Sequence, residues 1–319
     1  IKEAFNIVKS SRKCSYFFMG NGRGLIGALS AIGNDLINED FTYELLAYRR
    51  KDFIGKKRKI KESSVWKLER ASTFANVDYE TKRVLVYPRG NDPVLFGIRG
   101  ESPEILYKAL HLIEVEEPID RWVIFITNQG TDAHFRSCKA LRKAHEYEQV
   151  ILEGEMTRDP ERVTGGHIIL RIHADTLEYT CIAYFESGKM RRIVGKLRSG
   201  DVIRVFGGIK PKPQGLTVNI QKLVILDLQS RYKVRPVCPR CGKRMISLGR
   251  EKGFKCKCGY HVESTFSTIS AGRGYIPDIV LPPYRSIRHL TKPIKRYGRE
   301  RRRERRQITF SPWCSFLDT

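Results

Sequence analysis

Two pairs of cysteines near the C-terminal end constrain the fold of this chain more than any other feature. Two residues separate Cys238 from Cys241, and the pair Cys256 and Cys258 follows at the distance of a hairpin. The first spacing lets two thiolates face one ion, and four thiolates would complete a tetrahedral structural zinc site. Only one residue separates the second pair, so His261 stays open as a substitute for Cys256. A module this short would take much of its folding free energy from the metal.

The composition excludes several classes of protein. The other four of the eight cysteines are scattered through 319 residues, which favours reduced thiols and a cytoplasmic location over a disulfide framework. Hydrophobic residues make up 41% of the chain, enough for the cores of two or three domains. No stretch approaches the roughly 18 apolar residues of a membrane span, so no membrane partner is expected. The chain begins with Ile1 and without a signal-peptide pattern, so we expect an upstream part to be missing.

The basic charge is concentrated at the C-terminal end. The net charge is +24, and residues 231–319 contribute 22 basic and 6 acidic residues, a net of +16. Such a field attracts polyanions, namely RNA, DNA or an anionic membrane. The arginines between 299 and 306 leave no apolar face for an amphipathic membrane helix. We predict a basic tail over 266–319, with a solvated, disordered tail as the alternative to a binding segment.

Residues 1–147 combine helical and strand patterns. A glycine-rich loop at 20–24 precedes an apolar helical repeat, and Ser102 and Pro103 are typical of the start of a second helix. The basic, polar stretch 50–72 has no clear period and is expected to be a loop. Strand patterns lie at 42–49, 83–88, 94–99 and 122–127. This arrangement predicts an α+β protein whose first domain is a ferredoxin-like α/β sandwich.

Residues 148–230 are typical of an OB-fold β-barrel, with a zinc ribbon over 231–265. A short helical piece at 188–197 separates the third and fourth of five strands, the order of an OB-fold that binds oligonucleotides. A five-stranded barrel without a ligand is the alternative. The strands are expected at 149–157, 167–175, 178–185, 201–210 and 216–226.

Basic and aromatic residues of these modules are candidates for RNA contacts. In the OB-fold, stacking and phosphate contacts are expected from Arg171, His173, Tyr179, Tyr184, Lys210 and Lys212. In the ribbon, a basic face is expected from Arg240, Lys243, Arg244, Lys255 and Lys257. In the tail, sequence-independent phosphate contacts are expected from Arg285, Arg288, Lys292, Lys295 and Arg296.

Four stretches of sequence, with the OB-fold and the ribbon that follow them, resemble one family. They are GNGRGLIGAL (20–29), FANVDYETKRVLV (74–86), DPVLFGIRGESPEILYKAL (92–110) and RWVIFITNQGTDAH (121–134). From about residue 15 to residue 297, the chain is similar to the archaeal tRNA-isoleucine agmatidine synthetases. The combination of IRGES, TNQGTD and the OB-ribbon order is specific, whereas a glycine loop alone is a weak signal.

The resemblance implies a ligase that forms a carbon–nitrogen bond on tRNA. ATP, with Mg²⁺, would phosphorylate the carbonyl of the wobble cytidine in a CAU-anticodon isoleucine tRNA. The amine of agmatine would then displace the phosphate, and the product would decode AUA as isoleucine. Two departures bear on activity. The acidic Asp-Asp-Thr-Asp motif of the family's kinase-like ATP domain is absent from this sequence, and the end RRRERRQITFSPWCSFLDT does not resemble the family's terminus.

Against that chemistry, the glycine loop offers Arg23 as a catalytic residue and Gly22 and Gly24 as substrate contacts. Together they could hold a phosphate or the activated carbonyl oxygen. The alternative is a glycine turn that admits close packing of helix on sheet. Arg99 could contact a phosphate and Glu101 a cation, unless Glu101 is simply a residue of the first helical turn.

The stretch after the last strand of the first domain could bind agmatine. Asn128, Thr131 and Asp132 would face its cationic groups, and Asp132 would pair with the guanidinium or deprotonate the attacking amine. The alternative is an Asx-type turn. His134 is expected to be structural.

Two other classes of function stay open. A non-catalytic RNA-binding or single-stranded-DNA-binding protein could also combine an OB-fold with a zinc ribbon. A membrane-surface protein recruited through its tail is a third reading. The oligomeric state is left open by the sequence.

Overall fold

A computed structural model describes most of the chain. The described residues are 2–11, 15–16, 20–22, 24–33, 36, 39–70, 72–137, 145–212, 215–229, 231–249, 252–262, 267–270, 273–301 and 310–315.

Two short helices at the N-terminal end pack on each other. Helix α1 spans Lys2–Ser10 and helix α2 spans Gly24–Ile32. Leu25 of α2 forms a small apolar cluster with Ala4 and Val8 of α1. This cluster is separate from the core of the sheet that follows.

A four-stranded antiparallel sheet organises the first domain. Its elements are β1 (Thr42–Arg49), α3 (Glu62–Lys67), β2 (Thr73–Phe74), β3 (Val77–Asp78), β4 (Arg83–Val84), β5 (Val94–Gly100), α4 (Pro103–Leu112) and β6 (Ile119–Thr127). The strand order is β2-β5-β1-β6, while β3 and β4 form a separate two-stranded sheet. One helix follows β1 and another follows β5, which gives the βαββαβ arrangement of the predicted ferredoxin-like sandwich.

Alternating side chains of the central strands fill the core of this domain. Leu45 of β1 and Phe96 and Ile98 of β5 are fully buried against Leu106 of α4. Helix α4 begins as predicted, because the hydroxyl of Ser102 accepts a hydrogen bond from the Ile105 amide at 3.3 Å. The prediction of a loop over 50–72 was wrong in part, since α3 lies within it.

Five long strands of the second domain pair in a closed circuit. The elements are β7 (Arg136–Ser137), β8 (Gln149–Met156), β9 (Glu161–Arg162), β10 (Ile168–Ala174), β11 (Leu177–Ala183), α5 (Lys189–Val194), β12 (Val202–Lys212) and β13 (Gly215–Asp227). Strand β8 pairs with both β12 and β10, β13 pairs with β12 and β11, and β11 pairs with β10. The five predicted strands and the helix between the third and fourth are all present, as an OB-fold requires.

Six short strands follow the second domain. They are β14 (Arg231–Val234), β15 (Ile246–Ser247), β16 (Phe254–Lys255), β17 (His261–Val262), β18 (Ser267–Ser270) and β19 (Ile279–Val280). Strands β15, β16 and β17 form the ribbon's own sheet, and β18 pairs with β14. Strand β19 pairs with β13 of the second domain. The chain beyond residue 266 therefore differs from the predicted tail, because β18 pairs with β14 and β19 pairs with β13 of the second domain.

Candidate functional site

The four predicted cysteines come together in the ribbon. The sulfur atoms of Cys238, Cys241, Cys256 and Cys258 all lie within 4.8 Å of one another. The Sγ–Sγ distance is 3.5 Å from Cys238 to Cys258 and 3.3 Å from Cys241 to Cys256. His261, the open alternative to Cys256, is not a member of this cluster.

The cluster fits a tetrahedral zinc ion. Zinc–sulfur bonds of about 2.3 Å place the sulfurs of a tetrahedral site about 3.8 Å apart, close to the distances between these thiols. Burial opposes ionisation of Cys238, but hydrogen bonds from the amides of Cys241 and Arg240 outweigh it and lower the pKa of the thiol to about 7. The four cysteines would hold a structural zinc ion, with Met245 and Phe254 packed beneath the site.

The loop after β6 does not present a free carboxylate at Asp132. One oxygen of Asp132 accepts a hydrogen bond from the Lys222 ammonium, and the other accepts one from the Lys292 amide at 2.7 Å. The Asp132 backbone has a φ of 67°, a left-handed conformation that aspartate tolerates better than most residues. The group that was expected to face agmatine therefore faces two other parts of the chain.

Lys222 is enclosed by aromatic rings as well as by Asp132. Its side chain is 1% exposed on β13 of the barrel. The ammonium lies 3.9 Å from the ring centroid of Phe206, 5.6 Å from that of Tyr297 and 5.8 Å from that of Phe135. Burial lowers the pKa of Lys222, and the Asp132 carboxylate opposes that shift. These five residues connect the first domain, the barrel and the C-terminal segment.

Glu101 also differs from its predicted role as an open cation site. Its side chain is buried, and its carboxylate accepts hydrogen bonds from Arg296 at 2.8 Å and from Arg301 at 3.0 Å. Arg296 is fully buried and also contacts Asp40 at 3.0 Å. The cations that Glu101 attracts are therefore arginines of this chain.

Residues 284–301, which we call the strap, cross the first domain through ion pairs. Arg285 donates to Asp78 at 2.7 Å, and Lys295 donates to Glu69 at 2.6 Å. The strap backbone also accepts hydrogen bonds from the Gly130 and Asp132 amides, each at 2.8 Å. Its charges were predicted to contact phosphates, but Arg285, Lys295 and Arg296 are paired with carboxylates. Arg288 is exposed.

A polar cleft lies on the first domain beside the strap. Arg99 contacts Glu44 at 3.1 Å and the Nδ1 atom of His289 at 2.6 Å. Burial and the neighbouring Arg99 lower the pKa of His289, which favours the neutral ring. A neutral Nδ1 atom accepts a hydrogen bond from the Arg99 guanidinium. Glu44 also accepts from the Gln129 amide group at 2.5 Å, and the Gln129 Oε1 atom is buried without a donor among the described residues. Neither Glu44 nor Gln129 was among the predicted site residues, although Gln129 lies inside the TNQGTD motif.

Other predicted site residues are divided between separate parts of the molecule. Thr131 is buried and donates to the Asn128 carbonyl at 2.5 Å, so both residues shape the turn before Asp132. Gly22 and Gly24 lie at the start of α2, in the N-terminal helical pair, and Arg23 lies outside the described residues. The ribbon presents exposed basic side chains from Arg240, Lys243, Arg244, Lys255 and Lys257.

The order of domains defines the class of this protein. A ferredoxin-like domain, an OB-fold domain and a four-cysteine ribbon make it a multidomain α+β protein with a nucleic-acid-binding type of barrel. Family models match in the same order: the TiaS FLD domain over residues 22–134, an OB-fold nucleic acid binding domain over 150–226 and the TiaS C-terminal zinc ribbon domain over 235–273.

Relatives and solved structures agree with these matches. The tRNA 2-agmatinylcytidine synthetase TiaS of Staphylothermus marinus is 41% identical over 287 residues, which cover 88% of this chain and 62% of the relative. The corresponding protein of Methanocaldococcus jannaschii is 40% identical over an alignment that covers 86% of this chain and 64% of the relative. A crystal structure of apo TiaS superposes with a TM-score of 0.71 at 36% identity, covering 92% of this chain and 70% of that one. A crystal structure of a TiaS complex with its isoleucine tRNA and ATP superposes with a TM-score of 0.69 at 35% identity, covering 93% of this chain and 69% of that one.

The chain belongs to the TiaS family, so the resemblance drawn from its motifs is confirmed. It spans less than two thirds of the length of these two curated relatives. Within the described residues, no helix is long and apolar enough to cross a membrane.

Proposed function

We propose that this chain carries the tRNA-binding and amine-binding parts of an agmatidine synthetase. The observation that carries this proposal is the superposition of over nine tenths of the chain on TiaS structures, including one described as a complex with isoleucine tRNA, AMPCPP and agmatine. In this proposal the protein modifies the wobble cytidine of isoleucine tRNA, works in the cytoplasm and uses ATP with Mg²⁺.

The proposed reaction exchanges an oxygen for a nitrogen on the base. A phosphoryl group of ATP moves to the carbonyl oxygen of cytidine: the new oxygen–phosphorus bond forms as its bond to the rest of the nucleotide breaks, and the oxygen becomes part of a leaving group. The neutral primary amine of agmatine then attacks the carbonyl carbon, the carbon–nitrogen bond forms, and phosphate leaves with the oxygen as the amine loses a proton. Electrostatic stabilisation of that leaving group is the task for cationic side chains.

The cleft at Glu44 is the proposed agmatine site. Agmatine carries a cation at each end. The Glu44 carboxylate lines the cleft and already accepts from Arg99 and Gln129, but its oxygens have further lone pairs that can accept from one of those cations. The cleft has a volume of about 300 Å³ and is lined in part by Glu44, Arg99 and His289. We retain Arg99 as a candidate phosphate contact and assign Asp132 to holding the loop that carries Gln129.

The basic face of the ribbon is the proposed phosphate-binding surface for tRNA. Its five cationic side chains are exposed, whereas the strap uses Arg285 and Arg296 within the protein. Contacts of this kind release counterions. A plot of the logarithm of the tRNA association constant against the logarithm of the salt concentration should therefore be linear, with a slope of about −0.7 to −0.9 per phosphate contact.

Transfer of labelled agmatine to the CAU-anticodon isoleucine tRNA by the complete gene product, with ATP, tests this function. A Glu44→Gln variant should raise the KM for agmatine about ten-fold, a loss of about 1.4 kcal/mol of binding, and leave tRNA affinity unchanged. Glu114→Gln is the matched control, because Glu114 is half-exposed and pairs with lysines on another edge of the domain. Binding of tRNA without transfer would favour the non-catalytic nucleic-acid-binding protein.

A further inference from the structure

Residues 310–315 extend the sheet of the first domain at its open edge. Strand β6 is the last strand in the order β2-β5-β1-β6, so its outer backbone groups would otherwise lack partners. The Ile124 amide donates to the Trp313 carbonyl at 2.8 Å, and the Ser315 amide donates to the Trp122 carbonyl at 3.1 Å. Val123 and Cys314 form an antiparallel bridge between these two bonds. The segment therefore adds a short fifth strand.

Two aromatic side chains of the segment join the core of the same domain. Phe310 and Trp313 are partly buried against it, with their ring centroids 5.8 Å apart. The Trp313 ring lies 6.1 Å from that of Tyr43 on β1, and the Phe310 ring lies 6.2 Å from that of Tyr107 on α4. Aromatic pairs at these distances contribute about 0.5–1.5 kcal/mol each beyond the area they bury.

We propose that the β6 edge and the groove formed by Tyr43, Tyr107 and Trp122 are a peptide-docking site. Its ligand is the chain's own segment 310–315, which pairs through Cys314 and carries aromatic side chains at its first and fourth positions. Strand addition supplies affinity through the backbone hydrogen bonds, and the two aromatic rings packed against the domain supply specificity. This inference is independent of the proposed function, because it involves none of the groups assigned to agmatine or tRNA.

The route of the chain supports an intramolecular ligand. Arg301 is fixed to the first domain through Glu101 at 3.0 Å, and its guanidinium lies 5.9 Å from the Phe41 ring centroid. The next described residue, Phe310, contacts the same domain. Anchorage on both sides of the connection raises the effective concentration of the segment at its groove.

Amide hydrogen exchange in the full chain tests the proposal. The Ile124 amide and the Trp122 amide, which donates to the Ser315 hydroxyl at 3.0 Å, should exchange at least about ten-fold faster in a Trp313→Ala variant. Amides of β1 should keep their protection and report that the domain remains folded. Ser311→Ala is the matched control, since Ser311 is exposed in the same segment and should leave the exchange unchanged.

Docking in trans is the complementary measurement. A fluorescent peptide FSPWCSFLDT should bind a chain ending at Thr309 and saturate, while the full chain, whose groove is filled, should bind it at least about ten-fold more weakly. A peptide with alanine in place of the tryptophan should not bind. Unchanged exchange in Trp313→Ala, or no peptide binding to a folded truncated chain, would overturn the proposal. Loss of amide protection on dilution would assign the ligand to a second copy and refute the intramolecular site.

Discussion

Replacing Lys222 by methionine should weaken the joint between the first domain and the barrel. The change removes a buried ammonium and leaves Asp132 with only the Lys292 amide as a partner among the described residues. Removing one member of a buried ion pair costs about 3–5 kcal/mol. Asp132 is 16% exposed and retains one hydrogen bond, so we expect about 3 kcal/mol, the lower end of that range.

A double-mutant cycle separates this coupling from simple loss of packing. Asp132→Asn keeps the shape, the left-handed backbone and the hydrogen bond from Lys292, but removes the charge. The free energies of unfolding of Lys222→Met, Asp132→Asn and the double variant should be measured by urea titration with tryptophan fluorescence. The double variant should be less destabilised than the sum of the single variants by about 1–3 kcal/mol.

An exposed lysine on the neighbouring strand provides the control. Lys210→Met removes an exposed ammonium and should change stability by no more than about 0.5 kcal/mol. If the changes in the free energy of unfolding caused by Lys222→Met and Asp132→Asn were additive, the two side chains would not be energetically coupled and the prediction would be wrong. If Lys222→Met lowered the free energy of unfolding by no more than Lys210→Met does, burial of the Lys222 ammonium would not contribute to stability.

Three further predictions concern other parts of the molecule. Burial lowers the pKa of His134 to about 4 from an ordinary 6.5. Between about pH 6.5 and pH 4, His134 is therefore protonated in the unfolded chain but neutral in the folded one. Stability should therefore fall as the pH drops from about 6.5 towards 4, and His134→Gln should flatten this slope in urea titrations at several pH values. Chelation should speed trypsin cleavage within residues 238–260 at least about ten-fold, and unchanged protection would count against a structural zinc ion. Ser102→Ala should cost about 1 kcal/mol by removing the cap of α4, whereas no change in the urea midpoint would mean that the cap is dispensable.

The barrel and the zinc cluster could be predicted because their signals are local. Strands rich in β-branched residues between tight turns identify the barrel, and the cysteine spacing identifies the cluster. Helix α3 could not be predicted, because its sequence ESSVWK has no apolar period. Contacts distant in sequence hold it instead: the Ser64 hydroxyl accepts from the Glu114 amide at 3.0 Å.

The roles of Asp132 and Glu101 could not be predicted for a related reason. A carboxylate next to a strand end is typical of a binding site, and its partner in the folded chain is invisible in a local pattern. Lys222 is 90 residues from Asp132, and Arg296 is 195 residues from Glu101. The local sequence around a buried lysine or arginine does not differ from that around a solvent-exposed one. The strap was therefore predicted to be a basic tail.

The strap has a consequence for the order in which the protein can mature during synthesis. Asp78 and Glu101 are buried in a domain that leaves the ribosome before the strap, because their arginine partners follow 207 and 195 residues later. Until then, each carboxylate must stay hydrated or take up a proton. The first domain therefore should not reach its final packing as an independent unit, although domains usually fold in the order of their synthesis. A ribosome stalled before residue 285 should display it in a looser, protease-sensitive form.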